Sequence, residues 1–128
     1  MGKLIYEELT FQIRKSLFNV YNQLGPGYRE ETYKQAVIRD FNLEGIPYYR
    51  EKIFPVHYRD EQVDEYRVDL IAFDKIIMEL KAVAELHPRF EAQLLSYLKL
   101  TNLKLGLLIN FGSDKLEIRR FVNPHGTS

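Results

Sequence analysis

Apolar residues in the opening stretch of the chain recur every three or four positions: Leu9, Ile13, Leu17, Val20 and Leu24 form one stripe, with Glu7, Glu8, Arg14 and Lys15 off it. This period predicts an amphipathic helix over Tyr6 to Leu24. Gly25-Pro26-Gly27 ends it, because proline cannot continue the hydrogen-bond ladder and glycine accepts the positive φ common after a helix. A second helix is expected from Tyr28 or Arg29 to about Leu43, with Tyr33, Ala36, Val37 and Phe41 inward, Glu30 and Glu31 in its first turn, and Gly45 as its stop.

Beyond Pro47 the spacing changes to short runs rich in aromatic and β-branched residues, the mark of strands. The first covers Tyr49 to Tyr58, where Pro55 suggests an edge strand or a bulge. Arg59-Asp60-Glu61 is the expected hairpin tip before a second strand, Gln62 to Phe73. Strict alternation places Tyr66, Val68, Leu70 and Ala72 on one face of it, Arg67 and Asp69 on the other. After the turn at Asp74-Lys75, the third strand, Ile76 to Val83, turns Ile77, Glu79, Lys81 and Val83 one way and Ile76, Met78, Leu80 and Ala82 the other.

Pro88 suits the first turn of a third helix reaching about Leu100, on which Gln93 and Tyr97 are four apart and share a face. Two strands close the pattern. Leu103 to Phe111 is apolar like a central strand, Lys115 to Val122 alternates like one nearer the edge, and Asn123 to Ser128 is expected to be a loose tail. The chain shows no repeat, linker or low-complexity stretch, and its 128 residues suit one domain spanning 1–128.

Composition narrows the chemistry. Without cysteine there is no disulfide, thiolate metal site or cysteine nucleophile, so any metal must sit on oxygen or imidazole. His57, His87 and His125 lack ligand-like spacing, Ser16, Ser96 and Ser113 lack a nucleophile elbow, and no glycine-rich phosphate loop is present. Eighteen basic and eighteen acidic residues cancel, which counts mildly against a nucleic-acid partner without excluding one, since net charge averages an acidic pocket with a basic rim. Arg50, Lys52, Arg59, Arg67 and Arg89 are the candidates for such a rim, though solvated surface is the common fate of such residues. Neither a signal-type run nor a membrane-length apolar stretch is present, so the expected setting is cytoplasmic.

Asp69 and Glu79-Leu80-Lys81 lie on adjacent strands joined by a short turn, which brings two carboxylates and an ammonium together. Carboxylate oxygens, with the Leu80 carbonyl and waters, are donors that Mg²⁺ or Mn²⁺ prefers, and Lys81 is placed to orient a water and stabilise a phosphorane-like transition state. Taken alone, the trio would equally be a cross-strand salt bridge of little energetic weight.

Further residues make the pattern specific. Gly27-Tyr28-Arg29-Glu30-Glu31-Thr32-Tyr33 resembles the GxxExxY signature of a family of small bacterial proteins. Val68-Asp69-Leu70, Glu79 to Val83, Glu91 to Leu98 and Leu105 to Phe111 follow in that family's order, so the likeness covers Leu9 to Phe121. The family is grouped with the PD-(D/E)XK nucleases. The resemblance implies an α/β (α+β) fold with a restriction-endonuclease-like αβββαβ core, its mixed central sheet flanked by helices. It also implies Mg²⁺- or Mn²⁺-dependent hydrolysis of nucleic-acid phosphodiesters, for which DNA is the expected substrate.

By the same resemblance Asp69, Glu79 and the Leu80 carbonyl are metal ligands, Glu30 a third ligand or partner of a bound water, and Lys81 the catalytic cation. Gln93 and Tyr97 are similar to the QxxxY element of RecB-type exonucleases, which supports the active site. The superfamily's proline before the first acid is replaced by Val68. Glu30 would otherwise be a favourable charge at a helix N-terminus, Gln93 and Tyr97 a polar pair on a core helix, and Tyr33 a packing residue. Two other readings stay open: a non-catalytic module binding nucleic acid or protein on a nuclease fold, and a homodimeric endonuclease resembling junction resolvases.

Overall fold

The computed structural model describes residues 5–126. Helix α1 covers Glu7–Leu24, and its expected stripe is buried at Ile13, Leu17 and Val20, with Leu9 and Leu24 partly covered. The Gly25 amide closes it by donating to the Tyr21 carbonyl, and Gly27 takes φ +113°, which a side chain would resist. Helix α2 runs Glu30–Glu44, slightly later than expected, and stops at Gly45 with φ +70°. Tyr33 pins the connection. Its hydroxyl donates to the Gly25 carbonyl at 2.5 Å and accepts the Tyr28 amide at 3.2 Å, while its ring stacks on Phe111 at 4.5 Å.

Five strands follow: β1 Tyr48–Tyr58, β2 Glu61–Ala72, β3 Ile76–Lys81, β4 Leu105–Asn110 and β5 Glu117–Val122, with α3, Pro88–Thr101, between β3 and β4. They lie in the order β1-β2-β3-β4-β5. The β3–β4 pair is parallel because α3 carries the chain across; the other neighbours are antiparallel. This is the mixed sheet with flanking helices of the restriction-endonuclease-like fold.

The sheet separates two apolar layers. Leu70, Ala72, Ile76, Met78, Leu80, Leu105, Leu107 and Ile109 pack beneath α1 and α2, while Val68, Ile71, Ile77 and Leu108 meet Leu94, Tyr97 and Leu98 of α3. Helix α3 approaches closely: a Cβ on Gly106 would lie 2.8 Å from Leu94 Cδ1. Every residue of β4 is buried, as its unbroken apolar run predicts.

The alternation expected for β2 fails at one place. Tyr66 packs on Tyr97 and Val68 joins the α3 layer, but Leu70 and Ala72 belong to the opposite layer. The phase reverses at Asp69. There β1 pairs through Arg50↔Leu70 and Lys52↔Val68 but not between Glu51 and Asp69, and Glu51 has φ +51°. The β2–β3 ladder likewise ends at Leu70↔Met78. A residue released from both ladders no longer imposes the two-residue period, so its neighbours fall on opposite faces.

The segment after β5, expected to be loose, is tied down at its start. The Asn123 amide donates to the Lys104 carbonyl at 2.7 Å, and its side chain reaches the carbonyls of Leu98 and Leu103. Residues 127–128 of that expected tail lie outside the described residues.

Candidate active site at the break in the sheet

The interruption at Asp69 creates the site. The Asp69 amide donates to Glu79 Oε2 at 2.9 Å, and the Leu80 amide donates to Asp69 Oδ2 at 3.1 Å. Two side-chain carboxylates thus take over from the missing rungs of the β2–β3 ladder. Successive residues of a strand address opposite neighbours. The Lys81 carbonyl accepts from Phe111 on the β4 side, so the Leu80 carbonyl is directed toward β2 and the two acids.

Strand β3 keeps its alternation, which sends Glu79 and Lys81 toward α3. Lys81 Nζ lies 4.6 Å from the centroid of the Phe90 ring at the start of that helix. Phe90, Gln93 and Tyr97 follow one another at helical spacing on α3. Tyr97 is buried, and its phenol is held up to about 12 by burial and then by the charges of Glu79 and Asp69. Gln93 is exposed although it lies one turn from Tyr97, and Leu94 takes the inward position beside it.

From the other layer, α2 contributes Glu30 at its first position and Lys34 one turn later. Glu30 is half-buried, and burial raises its pKa against the lowering effect of Lys81. Lys34 is 6% exposed, with Nζ 3.3 Å from Asp69 Oδ1 and 3.7 Å from Glu31 Oε1. Burial pulls the Lys34 ammonium down, but the Asp69 carboxylate and then Glu31 outweigh it, leaving its pKa raised. Glu79, 4% exposed, is held far above the ordinary carboxylate value by burial first and by Asp69 second, with Lys81 opposing.

Two residues of this arrangement escaped the sequence reading. Lys34 looks like any charge beside an inward aromatic. Asn110, fully buried at the end of β4, accepts the amides of Val83 and Gly112 at 3.0 Å each and donates to the Val83 carbonyl at 2.9 Å and Glu117 Oε1 at 3.0 Å. It fixes the chain just after Lys81. A Cβ on Gly112 would lie 2.3 Å from the Val83 nitrogen, so only glycine fits there. Its place two residues after Asn110, at the end of an otherwise apolar run, was the available signal.

Each residue of the proposed basic rim is engaged with a neighbouring side chain. Arg50 meets Glu51 and Glu31, Arg67 meets Glu51, Lys52 lies over Tyr49 and Phe54, Arg59 over Tyr58, and Arg89 over Phe90. His87 caps α3 by accepting the Arg89 amide at 3.0 Å.

The sequence that builds this pair of carboxylates with a lysine beside them also matches a family model. The model of the PD-(D/E)XK nuclease superfamily covers residues 7–121. The chain belongs to that superfamily. Among solved structures, one titled "Crystal structure of SSO0001" is similar in fold, with a TM-score of 0.51 and 15% identity over 96% of this chain and 79% of that one. No curated protein matches the sequence.

PD-(D/E)XK proteins are usually nucleases that use Mg²⁺ or Mn²⁺, and the donors here can be tested against such an ion. Among the described residues no three His, Asp or Glu side chains close into a metal-holding group. The pair still fits. Mg²⁺ binds through one or two carboxylates and keeps several waters, and two crowded acids, one of them deeply buried, are chemically suited to a cation.

Proposed function

We propose that this PD-(D/E)XK protein is a Mg²⁺- or Mn²⁺-dependent nuclease acting on DNA, and that it is a member of the GxxExxY group. The observation that carries the reading is the crossed pair at the sheet break, where Asp69 and Glu79 converge within reach of Lys81. Asp69, Glu79 and the Leu80 carbonyl hold the ion in this reading, and Glu30 meets it through water. When bound, the cation supplies charge neutralisation at a scissile phosphate. Lys81 orients the attacking water and stabilises the charge that develops on the phosphoryl oxygens. Tyr97 buttresses the acidic pair from α3, and Gln93 sits at the exposed rim as a substrate contact.

The retention of Lys81 beside the two acids, where it makes no ion pair within 4.0 Å among the described residues, favours an enzyme over a purely binding module. A dimeric, resolvase-like form draws support from one observation: Ile53, Tyr58, Val63 and Tyr66 are all exposed on the β1–β2 hairpin. Purified protein incubated with single-stranded, duplex and branched DNA and with RNA, each with Mn²⁺, Mg²⁺ or EDTA, tests the reading. Cleavage of DNA that EDTA abolishes is expected; binding without cleavage under every condition would refute it.

A further inference from the structure

The carboxylate of Asp69 is divided between two partners. Oδ2 accepts the Leu80 amide, and Oδ1 faces the ammonium of Lys34 at 3.3 Å. Lys34 is held there by more than one contact. Its side chain is almost wholly buried, its helix is anchored through Tyr33, and Glu31 flanks the ammonium on its other side.

Sites that use two metal ions place them about 3.5–4 Å apart, clamped by shared oxygen ligands. Asp69 is the residue best placed to be shared here, and its second oxygen already has a cation. A second dication at Oδ1 would have to expel a buried ammonium or lie against it.

We propose that Lys34 is a fixed monovalent substitute for a second metal ion, so that this site takes up one divalent cation and not two. The inference rests on the metal-site reading above.

The test is the stoichiometry of Mn²⁺ bound to the metal-free full-length chain, by calorimetry and by electron paramagnetic resonance, which also detects Mn–Mn coupling. The wild type is expected to bind one ion and show no coupling. Lys34→Met, which keeps the length of the side chain without its charge, should bind two and show coupling, whereas Lys34→Arg should stay at one. If Lys34→Met does not fold, Lys34→Gln carries the same expectation. Two ions in the wild type, or one in the uncharged variant, overturn the substitution. A wild type that binds none overturns the metal-site reading itself, and the inference with it.

Discussion

The main-chain amide of Asp69 is satisfied by the side chain of Glu79, at 2.9 Å, where an antiparallel neighbour would ordinarily offer a carbonyl. Asp69 in turn takes the amide of Leu80 on the Glu79 strand. The two acids are therefore structural as well as chemical: each completes the backbone of the other's strand. Variants at these positions will alter the local fold together with any ion binding, which makes the neighbouring lysines the cleaner probes.

Replacing Lys81 separates catalysis from ion binding. Nζ lies over Phe90 and makes no ion pair within 4.0 Å among the described residues. Lys81→Ala should leave Mn²⁺ affinity unchanged or slightly higher, because a repelling charge is removed, while cleavage falls by at least about a hundredfold. Calorimetry beside a single-turnover assay checks both. Cleavage undiminished in Lys81→Ala would rule the mechanism out.

Asp69→Ala removes the counter-charge of a buried ammonium and the acceptor for Leu80. Stripping one partner from a buried pair costs up to about 3–5 kcal/mol. Combining Asp69→Ala with Lys34→Met should recover part of that loss, since no unpaired ammonium remains. Urea denaturation of the two single variants and the double variant gives the coupling; strictly additive losses would mean that the 3.3 Å pair contributes nothing.

The pH dependence of the metal-free protein follows from Glu79. Its carboxyl is raised from 4.5 to about 8 in the folded state, by burial and then by Asp69. Below the unfolded value both states carry the proton and Glu79 has no effect on stability. As pH rises through that window the unfolded chain loses its proton first, so stability declines, by no more than about 1.4 kcal/mol per pH unit from this one group. Denaturation midpoints in EDTA between pH 5 and pH 8 should slope downward, less steeply in Glu79→Gln. Identical slopes would show that Glu79 is not buried as a protonated acid.

Asn110 offers a test remote from any ion. Asn110→Ala leaves the Val83 amide and carbonyl and the Gly112 amide without their partner, at about 1–3 kcal/mol for each group that stays buried and unpaired. Stability should fall accordingly. Cleavage should drop through misplacement of Lys81, with Mn²⁺ stoichiometry unchanged. A variant as stable as the wild type would mean that water replaces the amide.

Local periodicity carried much of this molecule. Among the described residues the three helices and five strands follow from spacing, proline, glycine and β-branched runs, because each reflects the conformational preference of a few adjacent residues. Glu79 and Lys81 were legible as companions for the same reason, since β3 stays in its ladders and two residues apart means the same face. Asp69 was legible as an acid of interest but not in its setting. Alternation assumes an unbroken strand, and the break that reverses Val68 against Leu70 depends on which rungs β1 and β3 leave unmade.

Tertiary packing alone decided the rest. Lys34 is an ordinary helix charge until α2 is laid on the sheet, and only then does one face of that helix bring its ammonium to Asp69. Gln93 and Tyr97 share a motif, but the face that α3 packs on the sheet, with Leu94 turned inward, buries the tyrosine and leaves the glutamine in solvent. Sequence spacing specifies directions within an element; which of those directions ends in a neighbour and which in water depends on how the elements are stacked.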